Sequence, residues 1–366
     1  MLKVNRKKHD EFENEYAEMA LKVMESKRLE GYDDIADEDW PSFVLREFYE
    51  KIVEYGLADE MGLEKLSDQV VERSLDDIRY FIKKLLLATP EQIHRAHIYL
   101  KSMKKNLNSE SPDISKDTFL QSFQKTYYRA MCERKDERGV KYNVRILKSL
   151  GIRSCPYCGC EYIGGRGKKI LGAELDHFVN KTDYPFFALC LYNLIPSCSA
   201  CNNHKRKADD LELISPFEEK ADFDSNIGIR LHSRPFVREE DGTYHESSIE
   251  VRVISDRYSE EYDRYKKNIK VFALQDIYEA FEDEAALYLD RMVRYPGTQV
   301  EEIEQILAMD GIDEWQSRVR YRHRLEQDLF LDRCAEGTEQ SKKPESKCIR
   351  ICTGLTGKKI DYFRNL

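Results

Sequence analysis

The chain has 366 residues, of which 41% are hydrophobic and 35% charged, and its formal net charge is −9. The length predicts two or three domains at roughly 150 residues each, and the balance of apolar and charged residues excludes a disordered chain. No apolar run approaches the ~18 residues of a membrane span, the N-terminus lacks the apolar stretch of a secretory signal, and a cytoplasmic protein is expected. The acidic balance excludes a protein that coats nucleic acid through its whole surface, so any such contact must come from a local patch.

The first 130 residues read as helices. In the stretch around Val44, Phe48 and Ile52, with Leu45, Tyr49 and Val53 beside them, apolar residues recur at helical spacing; Trp40-Pro41 precedes and Gly56 follows. Thr89, Pro90 and Gln92 carry the pattern of a capping box with proline at the first helical position. Asn106 to Ser115 reads as a polar linker, after which Phe119, Phe123, Tyr127 and Met131 line one helix face. Residues 134–153 hold seven basic residues (Arg134, Lys135, Arg138, Lys141, Arg145, Lys148, Arg153) against Asp136 and Glu137. A solvated helix face is the plain reading, and a phosphate-facing role is the alternative. A cysteine-containing segment occupies 151–215. Period-two alternation then begins, with Ile227, Ile229 and Leu231 followed by Ile249, Val251 and Val253, and Asp241-Gly242 between them as a hairpin signal. Helical spacing returns at Tyr262, Ile269, Phe272, Ile277 and Phe281. Pro296-Gly297 breaks it, a further helix is expected over Glu301–Asp332, and the stretch from Cys334 is irregular.

Of ten cysteines, four are spaced as metal ligands: Cys155 with Cys158, and Cys198 with Cys201. In a cytosolic chain free thiols are expected rather than disulfides. Two Cys-x-x-Cys turns complete a tetrahedral thiolate site with no open position, which suits a structural zinc ion; four unrelated buried thiols are the alternative. Cys132, Cys160, Cys190, Cys334, Cys348 and Cys352 lack such pairing and are expected mostly as buried small apolar residues, with Cys348 and Cys352 a weak second candidate for a metal or redox site. Between the two cysteine pairs lie 39 residues. They include a short strand around Asp176-His177, then Asn193, with a helix beginning near Asn202. On that helix Lys205 shares the face of Asn202, while His204 points about 200° away. Taken alone, an Asp-His pair also fits an N-cap or a buried hydrogen bond.

Four elements in order, Cys-Pro-Tyr-Cys, Leu-Asp-His-Phe, Asn-Leu-Ile-Pro-Ser-Cys and Cys-Asn-x-x-Lys, resemble the HNH endonuclease family over about Cys155 to Lys207. Asn202 stands where the family's final histidine is usual, as in its His-Asn-Asn variant. The resemblance implies an α+β chain: mostly helical, with an inserted zinc-stabilised ββα-metal module and a small β-hairpin region. The implied divisions are a helical region over 1–134, the nuclease module over 135–215, and a hairpin plus helical region over 216–366. It further implies that His177 is the general base and Asn193 orients its imidazole. Asp176 and Asn202 would hold a catalytic Mg²⁺ or Mn²⁺, and the four cysteines a structural Zn²⁺. An imidazole with an ordinary pKa near ~6.5 can accept a proton from water at neutral pH, and hard oxygen donors suit those cations. Lys205, Arg206, Lys207, Arg166, Lys168 and Lys169 lie near the module and are expected to contact nucleic-acid phosphates. The implied activity is hydrolysis of DNA. The layout also resembles HNH subunits of bacterial anti-phage defence systems such as the Septu type, which implies an ATPase partner subunit and permits an oligomer. A non-catalytic zinc-binding interaction module and an RNA-directed nuclease toxin are the other readings.

Overall fold

The structure is a computed structural model, and it describes residues 1–4, 10–63, 74–105, 114–164, 173–206, 208, 212–233 and 247–282. Fold class is mixed: helices with small antiparallel sheets. Contacts divide the chain into two units, one of Lys3–Ile152 with Ile163–Ala221, the other of Met1–Leu2, Arg153–Tyr162 and the segment from Asp222 onward.

The first unit is built on helices α1 (Asp10–Ser26), α2 (Trp40–Glu54), α3 (Leu57–Glu60), α4 (Leu75–Leu86), α5 (Pro90–Lys105), α6 (Thr118–Glu133) and α7 (Tyr142–Ser149). The stripe Val44, Leu45, Phe48, Tyr49, Ile52 of α2 is buried, as are Phe119, Phe123, Tyr127 and Met131 of α6. Phe48 stacks on Phe123 at 4.1 Å, and Tyr49 meets Phe81 of α4 edge-on at 4.9 Å. The ends of these helices follow their local chemistry. Thr89 Oγ1 accepts from Gln92 N at 3.2 Å while Gln92 Oε1 accepts from Thr89 N at 2.9 Å, a reciprocal cap on α5. Asp117 caps α6 through Leu120 N.

Against this core the same unit carries β1 (Glu174–His177), β2 (Leu194–Ser197) and α8 (Ser199–Lys205). The strands are antiparallel, pairing Glu174 with Ser197 and His177 with Leu194. Pro196 cannot donate to a ladder, and a two-stranded sheet leaves it an edge where no donation is needed. The segment joining the strands is anchored to the helices: Tyr16 Oη of α1 donates to Leu189 O at 2.7 Å, and the Cys190 thiol to Leu85 O at 3.2 Å.

In the second unit β3 (Ile227–Ser233) follows the short α9 (Phe223–Asn226) and pairs antiparallel with β4 (Ser247–Val253). The register matches Ile227 with Val253, Ile229 with Val251 and Leu231 with Ile249, and Ile227, Ile229, Ile249 and Val251 are buried. The outer edge of β4 is covered by side chains: Val251 N donates to Gln275 Oε1 at 2.8 Å and Ile249 N to Glu282 Oε1 at 2.9 Å. Helices α10 (Tyr262–Val271) and α11 (Leu274–Glu279) follow. The expected stripe is shifted here. Tyr265, Asn268, Phe272, Leu274 and Tyr278 are buried, whereas Tyr262, Ile269 and Ile277 are not. Ala273, at φ 48°, breaks the run into two helices and resets the face. The Asp241-Gly242 turn, Pro296-Gly297, the helix expected over 301–332, and Cys334, Cys348 and Cys352 lie outside the described residues. Among the described residues, no helix is long and apolar enough to cross a membrane.

Candidate active site and a four-cysteine cluster

The first cysteine pair sits in a tight knuckle. Ser154 bridges Tyr162, Cys155 N donates to Glu161 O at 2.8 Å, and Gly159 N closes back on Cys155 O at 2.7 Å. Gly159 takes φ +79°, a conformation that L side chains rarely adopt. Tyr278 Oη donates to Cys158 O at 2.8 Å, and the Tyr157 ring stacks on Phe272 at 4.3 Å. The second pair lies at the start of α8, where Cys198 is the N-cap and its sulfur accepts from Cys201 N at 3.5 Å. The sulfurs of Cys155, Cys158, Cys198 and Cys201 lie within 4.8 Å of one another, close enough to hold one metal ion. Of the remaining described cysteines, Cys190 is buried and Cys132 half-buried. Burial pushes the Cys132 thiol up to about 11 and Cys190 higher still, so neither is a thiolate near neutral pH.

Asp176 and His177 end β1 and line a cleft of about 500 Å³ together with Lys181, Asn202, Lys205 and Arg206. Strand and helix meet here in two rungs. Glu174 and Asp176, two apart on β1, share a face; Asn202 and Lys205, three apart on α8, share another. Asn202 Nδ2 donates to Glu174 Oε2, and Lys205 Nζ lies 3.3 Å from Asp176 Oδ2. Lys205 also donates to His177 O at 2.9 Å and is only 4% exposed. This departs from the expected role of Lys205 as a nucleic-acid contact. Its ammonium is turned inward onto the strand, because the face it shares with Asn202 is the face α8 lays on β1. Arg206 and His204 are exposed. Arg166, Lys168, Lys169 and Lys207 lie outside the described residues.

The imidazole of His177 is held at two places. Its Nε2 is 3.0 Å from Ala188 O; a carbonyl only accepts, so the hydrogen bond assigns the proton to Nε2 and leaves the Nδ1 lone pair free. Its ring meets the edge of Tyr128 with centroids 4.4 Å apart, and Tyr128 Oη donates to Leu175 O at 3.1 Å. The imidazole pKa is pulled down to about 3, first by burial and then by the charge of Lys181; the Ala188 carbonyl works in the opposite direction, and Lys205 adds a further lowering. The ring is therefore neutral at pH 7.

Asn193 makes no hydrogen bond to the imidazole. It is 1% exposed, and its carboxamide is spent on backbone: Oδ1 accepts from Val179 N at 2.7 Å, while Nδ2 donates to Phe187 O at 2.9 Å and Val179 O at 3.1 Å. It thus ties the residues after His177 to the residue before Ala188, and reaches the imidazole only through that carbonyl.

The carboxylates of Asp176 and Glu174 and the amide of Asn202 beside the cleft are oxygen donors, the chemistry a hard divalent cation takes. Glu174, Tyr128, Lys181 and the Ala188 carbonyl were not singled out from the sequence. Glu174 could have been found by the strand period, two residues before Asp176. Lys181 is the first cation after the Asp-His pair. Tyr128 on α6 and a backbone carbonyl carry no local signal. No family model, no curated protein and no solved structure matches the chain.

Proposed function

We propose that this chain is a metal-dependent endonuclease of the HNH type that hydrolyses phosphodiester bonds in DNA. The observation that carries the reading is the pairing, in one cleft, of an imidazole whose proton is held on Nε2 by Ala188 O with hard oxygen donors from β1 and α8. His177 Nδ1 accepts a proton from water, and the resulting hydroxide attacks phosphorus. Tyr128 and the Ala188 carbonyl keep the ring from rotating away from that water. Asp176 and Asn202 would hold Mg²⁺ or Mn²⁺, with Glu174 orienting the Asn202 amide, and a bound ion would supply positive charge to the leaving oxygen. Lys205 Nζ, 3.3 Å from Asp176 Oδ2, offsets the charge of that carboxylate.

The four cysteines would hold zinc in the structural role that an all-thiolate, closed set suits. The resemblance to anti-phage HNH subunits extends the proposal to a defence nuclease that acts beside an ATPase subunit, which co-purification from the native genetic context tests directly.

The decisive experiment incubates wild type and His177→Ala with plasmid, linear DNA and RNA, in Mg²⁺, Mn²⁺ or EDTA. Cation-dependent nicking of DNA that is lost in His177→Ala supports the reading. Equal nicking by both proteins removes the base, and cleavage confined to RNA redirects the substrate.

A further inference from the structure

We propose that Lys181 is the cation that receives the scissile phosphate, its ammonium binding a non-bridging oxygen of the phosphodiester whose attacking water is deprotonated by His177. This rests on the nuclease reading and adds to it the group that meets the substrate's charge. Lys181 lies four residues after His177, in the segment that leaves β1, and lines the same cleft.

The other lysines there have partners. Lys205 is held by Asp176 and His177 O, and Lys101 also has a partner. No carboxylate among the described residues pairs with Lys181. Instead its Nζ stands 3.9 Å from the centre of the Tyr128 ring, the ring whose edge His177 meets at 4.4 Å. The ammonium and the centre of the imidazole ring are therefore separated by no more than the sum of those two distances. A hydrogen-bonded water, an attack distance of about 3–3.5 Å and a charge-assisted contact of about 2.7–2.9 Å fit between them in a bent arrangement. An aromatic face holds a cation in place without neutralising it, which leaves its charge for an anion. A lysine is suited to a single phosphate oxygen as a compact point charge.

The step balances as a hydrolysis. Water loses a proton to His177 Nδ1, its oxygen bonds to phosphorus, the bond from phosphorus to the leaving oxygen breaks, and that oxygen takes a proton from solvent. Lys181 keeps its protons and offsets the charge that grows on the non-bridging oxygen.

The test uses full-length Lys181→Met and Lys181→Arg, with Lys84→Met as a matched control. Lys84 also lies over a tyrosine ring, Tyr80, at 4.6 Å, but outside the cleft. Three readouts are taken: single-turnover cleavage of a labelled duplex in Mn²⁺, bound Mn²⁺ by electron paramagnetic resonance, and duplex affinity by anisotropy in EDTA across a salt series. Lys181→Met is expected to slow cleavage about 10²–10³-fold, as loss of one transition-state donor does. Mn²⁺ affinity should stay within about twofold, and the salt slope of duplex binding should fall by about one. Lys181→Arg should recover at least about a tenth of the rate, and Lys84→Met should match wild type. Cleavage by Lys181→Met within about threefold of wild type overturns the proposal. So does a Lys181→Arg protein as slow as Lys181→Met, which would assign the residue to packing. If wild type cleaves nothing, the nuclease reading falls, and an unchanged salt slope in Lys181→Met then overturns the phosphate contact as well.

Discussion

Asn193→Ala removes an amide that touches no reacting group, and its expected effect can be worked from three distances. Wild type spends the side chain on Val179 N, Val179 O and Phe187 O at 2.7, 3.1 and 2.9 Å, in a site 1% exposed. At a net ~0.5–1.5 kcal/mol per hydrogen bond, the loss is about 2–4 kcal/mol. For a unit of this size that corresponds to a fall in Tm of about 4–15 °C. Phe187 directly precedes Ala188, whose carbonyl orients the imidazole, so the substitution also loosens the base. A displacement on the order of 1 Å at a reacting group can cost ~10²-fold, and the nicking rate is expected to drop at least ~10-fold. Thermal unfolding by circular dichroism and plasmid nicking at 20 °C below the mutant Tm measure the two effects separately. The acid limb of the pH profile should not move to higher pH, because the Ala188 carbonyl that the substitution loosens raises the imidazole pKa. An unchanged Tm together with an unchanged rate would refute the argument that Asn193 acts through the Ala188 carbonyl.

The lowered pKa of His177 has a sign that kinetics can read. A base whose pKa lies below its ordinary 6.5 stays neutral as pH falls, so kcat/KM for nicking is expected to be flat from pH 8 to about 5.5, and an inflection near 6.5 would contradict it. Lys205→Met leaves Asp176 buried without its counter-charge, which typically costs ~3–5 kcal/mol. In EDTA its Tm should fall well below wild type, and Mn²⁺ should raise the Tm of the variant more than that of wild type. Cys201→Ser should lower zinc content, measured by plasma mass spectrometry, and abolish most nicking, because a seven-residue helix does not persist without external support. Full zinc and full activity in that variant would remove the cluster from the account.

Periodicity and spacing made much of the arrangement readable in advance. The stripes of α2 and α6 carry four-residue apolar spacing and are buried as that spacing requires, and the cysteine pairs and the Thr89–Gln92 cap are local patterns with local causes. What was not readable depends on contacts between distant segments. The partner of the His177 imidazole is the backbone oxygen of Ala188, and the carbonyls on either side of it are held by Asn193, at Phe187 O, and by Tyr16, at Leu189 O, on a helix more than 150 residues upstream. The inward turn of Lys205 follows from the way one helical turn of α8 spans two strand residues of β1. The shifted face of α10 and α11 follows from a left-handed Ala273, a residue type that gives no warning of positive φ.

The division of labour along α8 has a practical consequence. Cys201, Asn202 and Lys205 face inward, while Asn203 and His204 face solvent one position away from them. A reporter dye attached through His204→Cys would therefore ride on the element that carries Cys201 and Asn202 while standing clear of the cleft. Helix unwinding on addition of a chelator could then be followed optically, in real time and without substrate.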